Sequence, residues 1–126
     1  MSGKNFILHR TTSLQREIQN TKAVEYAYAR FERDMEMTLE ASPRGGGTVI
    51  LRQKKLEPEA YEMEVSEDTV VIYGSNDRSF IYALNELSEK YLGILPFWFW
   101  NDQEIKVKPY VKIPCGHYQS EENRIR

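Results

Sequence analysis

Carboxylates are the side chains of this chain that could do hydrolytic chemistry. Two of them, held on either side of a glycosidic bond, can act as acid and as nucleophile or base. No two carboxylates here share an apolar setting that would raise the pKa of one of them, as such a pair requires. We therefore expect no catalytic residue. The most closely spaced carboxylates are interpreted as solvated surface groups: Glu57, Glu59, Glu62, Glu64, Glu86 and Glu89.

The other reactive side chains lack the spacing that catalysis or metal binding needs. His9 and His117 are the only histidines, and neither has a Cys or a carboxylate at a metal-ligand spacing. Cys115 is the only cysteine, which excludes an internal disulfide and is interpreted as a free structural thiol. The glycine run 45–47 lacks the Lys-Ser/Thr of a phosphate-binding loop. The sequence thus predicts no metal and no cofactor.

Four consecutive aromatic residues near the end of the chain are its most distinctive feature: Phe97, Trp98, Phe99 and Trp100. In a strand Phe97 and Phe99 would point one way and the two tryptophans the other, so one pair can enter the core. The second pair leaves three interpretations open. It could pack against a neighbouring domain, stack on the pyranose rings of a sugar, or anchor a protein partner.

Asp77 and Arg78 stand at the predicted start of a helix, directly after a strand. The carboxylate of Asp77 complements the helix dipole, whereas Arg78 is unfavourable there unless it is paired. Arg78 could bind an acidic group of a neighbouring domain or ligand. An ordinary surface position for both residues is the simpler interpretation.

Size and composition fit one compact domain of 126 residues, 40% apolar and 29% charged. The net charge of −2 gives no electrostatic case for nucleic acid or an anionic membrane as the partner. No window approaches the roughly 18 apolar residues of a membrane span, and the N-terminus lacks the apolar core of a signal peptide. We therefore expect a cytoplasmic location, with neither nucleic acid nor membrane as partner.

Apolar patterning predicts a strand over residues 5–9 and then a helical region. Thr12 and Gln15 have the spacing of a capping box, and apolar residues recur every three or four positions up to about residue 39. Two interpretations remain open for this region. It forms one long helix, or a short helix to about Gln19 followed by a second from Thr21 to Leu39.

Beyond the glycine run, residues 48–53 are predicted to form a central strand. Residues 61–65 alternate apolar and polar side chains, and with residues 69–73 they are predicted to form an antiparallel hairpin. A second helix begins near Ser75-Asn76-Asp77 and ends at Gly93. The expected fold class is α+β, a two-layer sandwich of a mixed sheet with two or three helices on one face. The domain is expected over residues 1–115, with 116–126 as a linker.

The second helix and its flanks resemble the N-terminal non-catalytic domain of large glycoside hydrolases. The likeness is greatest to glycoside hydrolase family 115, the xylan α-glucuronidases. More distantly, the layout resembles the second domain of β-hexosaminidases and the N-terminal domain of family 67 α-glucuronidases. The residues that carry it are Ile72-Tyr73-Gly74-Ser75-Asn76-Asp77-Arg78, Ile81-Tyr82, Glu86-Leu87-Ser88-Glu89, Leu92-Gly93 and Pro96-Phe97-Trp98-Phe99-Trp100-Asn101-Asp102.

The resemblance implies a mixed sheet with helices that leans on a (β/α)8 barrel, which carries the acid and base and begins just beyond residues 114–126. On this interpretation the chain is an accessory domain without activity of its own, and its partner is the C-terminal catalytic barrel of the same polypeptide. One alternative is a carbohydrate-binding module that holds polysaccharide on Trp98 and Trp100. Another is a free-standing interaction or oligomerisation module that pairs through an edge strand.

Overall fold

A computed structural model describes residues 4–10, 12–18, 21–40, 47–93 and 107–120. The elements within these ranges are β1 (Asn5–Leu8), β2 (Ser13–Glu17), α1 (Lys22–Thr38), β3 (Thr48–Gln53), β4 (Tyr61–Val65), β5 (Thr69–Gly74), α2 (Asp77–Leu87), a π-helical turn (Ser88–Leu92), β6 (Val111–Pro114) and β7 (Gly116–Gln119). A mixed sheet combined with two helices confirms the predicted α+β class.

The main sheet has five strands in the order β2-β3-β5-β4-β7. Strands β2, β3 and β5 run parallel, whereas β4 is antiparallel to both β5 and β7. Parallel neighbours need a crossover connection, and α1 supplies the one between β2 and β3. The central position of β3 and the β4–β5 hairpin are as predicted.

Strands β1 and β6 form a separate two-stranded ribbon from opposite ends of the chain. Asn5 lies opposite Pro114 and Leu8 opposite Val111. The ribbon contributes Phe6 and Leu8 to the core, both fully buried. The strand predicted over residues 5–9 is therefore confirmed for Asn5–Leu8.

The prediction of a helix that opens at Thr12 is wrong, because Ser13–Glu17 form β2. The Thr12 hydroxyl accepts a hydrogen bond from the His9 N–H at 3.0 Å, which makes a tight turn instead of a capping box. Leu14 is the only half-buried residue of β2, so side-chain burial stabilises this segment little. Its backbone hydrogen bonds to β3 favour the strand. The alternative helix from Thr21 is confirmed: the Thr21 hydroxyl accepts from the Val24 N–H at 3.3 Å and α1 follows.

Residues 116–119 belong to the sheet, so the prediction that the tail from Gly116 is a linker is wrong for them. They form β7, which pairs with β4 from Val65↔Gly116 to Glu62↔Gln119. Residues 116–119 join the sheet because they supply hydrogen-bond partners to the backbone N–H and C=O groups at the edge of β4. The sheet therefore continues four residues past the boundary expected at residue 115, to Gln119.

A single apolar core joins the sheet and the helices. Alternate residues of the strands point inward, while α1 and α2 each present one apolar stripe. The inward face of α2 is apolar, and Tyr91 of the following π-helical turn is half-buried at its edge. Its buried members are Phe80, Ala83, Leu84 and Leu87.

Asn76 and Ser79 cap α2 reciprocally. The Asn76 side chain accepts from the Ser79 N–H at 3.1 Å, and the Ser79 hydroxyl accepts from the Asn76 N–H at 3.4 Å. Replacing Asn76 with alanine is expected to lower the free energy of unfolding by about 1 kcal/mol, measured by urea denaturation. Asn85→Ala, inside the same helix, is the matched control and is expected to cause no loss. Equal losses in both variants would contradict the capping role.

Candidate functional site

Phe97, Trp98, Phe99 and Trp100 lie outside the residues that the structure describes. Their roles as packing surface, sugar platform or partner anchor therefore stay predictions. The described chain stops at Gly93 and starts again at Val107. The site is accordingly built from Asp77, Arg78 and the other charged residues in the described ranges.

Asp77 and Arg78 are adjacent in sequence but make contacts in different directions. The Thr21 hydroxyl donates to Asp77 Oδ2 at 3.0 Å, which ties the start of α1 to the start of α2. Arg78 Nη1 donates to Glu59 Oε2 at 2.9 Å, across to the loop between β3 and β4. The side chain of Arg78 is 68% exposed and that of Glu59 is 30% exposed. Within the described ranges, the acidic partner that Arg78 needed is thus supplied by this domain.

Glu59 has a backbone φ of 68°, in the left-handed region that side-chain-bearing residues rarely adopt. This conformation costs roughly 1–2 kcal/mol for an L residue. The loop is closed by a turn in which the Ala60 N–H donates to the Glu57 carbonyl at 3.0 Å. The turn fixes the backbone conformation of Glu59, and the ion pair with Arg78 fixes the position of its side chain.

Paired charges cover the outer face of the sheet. Arg52 Nε lies 2.8 Å from Glu17 Oε1, and Lys54 Nζ lies 2.8 Å from Glu62 Oε1. The hydrogen bond from Lys54 holds the pKa of Glu62 below its usual value, and the contact with His117 at 3.5 Å adds to that effect. A general acid needs the opposite shift. Glu62 is therefore an ion-paired carboxylate, 17% exposed, without the shift that a general acid needs.

Asp34 is a carboxyl group in an apolar setting, and the sequence interpretation overlooked it. It is 1% exposed on the inner stripe of α1. Ser88 donates to its Oδ2 at 2.9 Å, while its Oδ1 has no hydrogen-bond partner among the residues that the structure describes. Burial raises the pKa of Asp34, and the Ser88 hydrogen bond opposes that rise only in part. With no access for substrate, Asp34 is a structural residue.

The signal for Asp34 was present in its spacing. It follows Phe31 by three residues and precedes Thr38 by four, and both neighbours are buried. Arg33 and Glu36, close by in the sequence, are exposed and gave the segment a polar appearance. Helical periodicity, applied to polar as well as apolar residues, would have placed Asp34 inside.

The described ranges contain no cluster of three or more His, Cys, Asp or Glu side chains that could hold a metal ion. No helix among the described residues has the length and apolar character needed to span a membrane.

Residues 1–89 match the family model of glycosyl hydrolase family 20, domain 2. No curated protein matches the chain. Among solved structures, the family GH115 4-O-methyl-α-glucuronidase BtGH115A, with specificity for decorated arabinogalactans, has 19% sequence identity and a TM-score of 0.72. The match covers 92% of this chain and 18% of that chain.

Two family GH20 enzymes are also similar in structure. The exo β-N-acetylglucosaminidase from Vibrio harveyi shares 16% identity at a TM-score of 0.62, over 95% of this chain and 17% of that chain. The β-N-acetylhexosaminidase from Streptomyces coelicolor A3(2) shares 12% identity at a TM-score of 0.64, over 94% of this chain and 24% of that chain.

The likeness to these enzymes establishes the fold, and this chain spans less than a quarter of each of them. Of the three likenesses expected from the sequence, those to family 115 and to the second domain of β-hexosaminidases are confirmed, and the one to family 67 stays a prediction. The family model is that of the β-hexosaminidase domain, which had been a more distant expectation. The family model matches residues 1–89, well over half of this chain. The chain therefore belongs to glycosyl hydrolase family 20, domain 2, a non-catalytic accessory domain of glycoside hydrolases.

Proposed function

We propose that the chain is the accessory domain of a larger carbohydrate-active hydrolase and packs against that enzyme's catalytic barrel. The observation that carries the proposal is the difference between the share of this chain and the share of each relative that the structural matches cover. The relatives align with 92–95% of this chain, but the chain accounts for only 17–24% of theirs. A domain of this size within an enzyme several times larger has a neighbour in the same polypeptide.

The carboxyl groups of the described residues support a division of labour in which chemistry belongs to that neighbour. Glu59 and Glu62 are each engaged by a cation of this domain. Asp34, the group with a raised pKa, is sealed inside the helical layer. An acid–base pair requires two accessible carboxyl groups facing one bond, and these three do not provide it.

Two classes of parent enzyme are supported by different observations. The TM-score of 0.72 to the family 115 enzyme supports an α-glucuronidase, with xylan or another polysaccharide carrying acidic sugars as substrate. The family 20 model supports a β-N-acetylhexosaminidase. The two classes cleave different bonds, so substrate choice separates them.

The activity test compares this chain with the polypeptide that continues beyond residue 126. The chain alone is expected to hydrolyse neither 4-nitrophenyl β-N-acetylglucosaminide nor glucuronoxylan above a heat-treated control, because it belongs to a non-catalytic domain family. The longer polypeptide is expected to cleave one of the two. Hydrolysis by the 126-residue chain would refute the accessory role, as would a reading frame without a catalytic domain.

A further inference from the structure

The described chain leaves the sheet beside the start of α2. The Ser120 N–H donates to the Tyr61 carbonyl at 3.0 Å, and the Tyr61 N–H donates to the Ser120 hydroxyl at 3.1 Å. Tyr61 is also the cross-strand partner of Gly74, the last residue of β5. Two hydrogen bonds therefore fix the direction in which the polypeptide departs.

The loop of residues 54–60 reaches the same place. The Lys54 N–H donates to the Gly74 carbonyl at 2.9 Å, and the Ser75 hydroxyl donates to the Glu57 carbonyl at 2.9 Å. Arg78 joins this loop through Glu59. We call the surface formed by residues 54–60, 75–78 and 120 the exit corner. Its backbone is ordered by its own hydrogen bonds, so a partner would meet a surface already in place.

The start of α1 adjoins the exit corner through the Thr21–Asp77 hydrogen bond. Tyr26 lies within the first turn and a half of α1 and is 75% exposed, the highest value among the large exposed apolar side chains of the described residues. Arg78 is 68% exposed. Tyr and Arg are the residue types that, with Trp, carry most of the binding energy in protein interfaces. Both side chains are thus exposed, Arg78 within the exit corner and Tyr26 five residues along the chain from Thr21, which binds Asp77.

We propose that the exit corner and Tyr26 form the surface on which the catalytic domain of the same polypeptide rests. The inference depends on the proposed function, in which a catalytic domain follows in the same polypeptide. The polypeptide that leads to that domain departs from Ser120, which belongs to the exit corner. The exit corner is therefore the part of this domain that adjoins the connection.

The chemistry of Arg78 defines what the partner surface presents. A guanidinium has five N–H donors in a fixed fork, and the bond to Glu59 is made through Nη1. Carboxylates or backbone carbonyls of the catalytic domain accept from the remaining donors, while an apolar depression receives the Tyr26 ring. The Glu59 carboxylate holds the guanidinium in position for this contact.

Hydroxyl-radical footprinting of the longer polypeptide, read by mass spectrometry at individual tyrosines, tests the surface. Tyr110 is the internal reference, because it is 45% exposed and precedes β6, near the opposite end of α1. In this domain alone Tyr26 has the larger exposed fraction, so it would be oxidised faster than Tyr110. With the catalytic domain in place, Tyr26 is expected to be oxidised at least fivefold more slowly than Tyr110.

Charge reversal supplies the second arm of the experiment. Arg78→Glu is expected to bring the oxidation rate of Tyr26 above that of Tyr110, whereas Lys112→Glu, an equal reversal on β6, leaves it unchanged. Tyr26 lies on α1, so its rate reports the domain contact and not the loop that Arg78 fastens. Faster oxidation of Tyr26 than of Tyr110 in a catalytically active polypeptide would overturn this inference alone. A continuation without a catalytic domain would instead overturn the proposed function.

Discussion

Truncation of Phe80 to alanine is expected to lower the free energy of unfolding by about 3–5 kcal/mol. Phe80 is 2% exposed on the face of α2 that packs on β4 and β5. Its ring carbons Cε1 and Cζ lie 3.0 Å from where a Cβ on Gly74 would stand, so the ring packs directly on the glycine backbone. Alanine would lose this apolar burial and leave a cavity at the joint between sheet and helix.

Urea denaturation followed by circular dichroism measures the loss, with Tyr26→Ala as the matched control. Both variants remove an aromatic ring from a helix, but Tyr26 is 75% exposed and its removal is expected to change stability by no more than about 0.5 kcal/mol. A loss below about 1 kcal/mol for Phe80→Ala would contradict the packing described for α2.

Replacement of Asp34 by asparagine is expected to change how stability depends on pH. Burial raises the folded-state pKa of Asp34 above its ordinary value of 3.8, so the folded state binds the proton more tightly than the unfolded chain. The wild-type protein therefore loses stability as pH rises from about that value through the raised pKa, and then stays at the lower level. Each unit of elevation costs about 1.4 kcal/mol at neutral pH.

The measurement is the free energy of unfolding of the wild type minus that of Asp34→Asn, taken from pH 4 to pH 8. This difference is expected to fall with rising pH and then level off. In the Ser88→Ala background the total fall should be larger and extend to higher pH, because the hydrogen bond that favours the charged form is gone. A difference that rises with pH would mean that Arg30 and Arg33 outweigh the burial of Asp34.

Much of the fold could be predicted wherever one face of an element is buried, because burial imposes a period on the sequence. Tyr61, Met63 and Val65 alternate with glutamates, and they form the buried face of β4. Strands β2 and β7 carry too few buried side chains to show a period. Leu14 and Ile18, four residues apart, even imitated a helix. Both strands are edges of the sheet, held by backbone pairing that no side-chain pattern reveals.

The candidate site was less predictable, since its contacts join distant segments. The need of Arg78 for a partner could be predicted from its position at a helix start. The partner, Glu59, lies 19 residues earlier in a loop whose conformation depends on hydrogen bonds to α2 and β5. Asp34 shows the complementary case, because its contact with Ser88 across 54 residues exists only once the helices pack.

The ribbon of β1 and β6 has a consequence for the order in which the protein folds during synthesis. Asn5 pairs with Pro114, a separation of 109 residues (114 minus 5), and the Cys115 N–H donates to the Lys4 carbonyl at 3.1 Å. The first strand of this domain to leave the ribosome must therefore wait for almost the whole domain before its backbone is paired. Until then Phe6 and Leu8 have no ribbon to hold them in the core, which exposes a short apolar strand to chaperones and to aggregation.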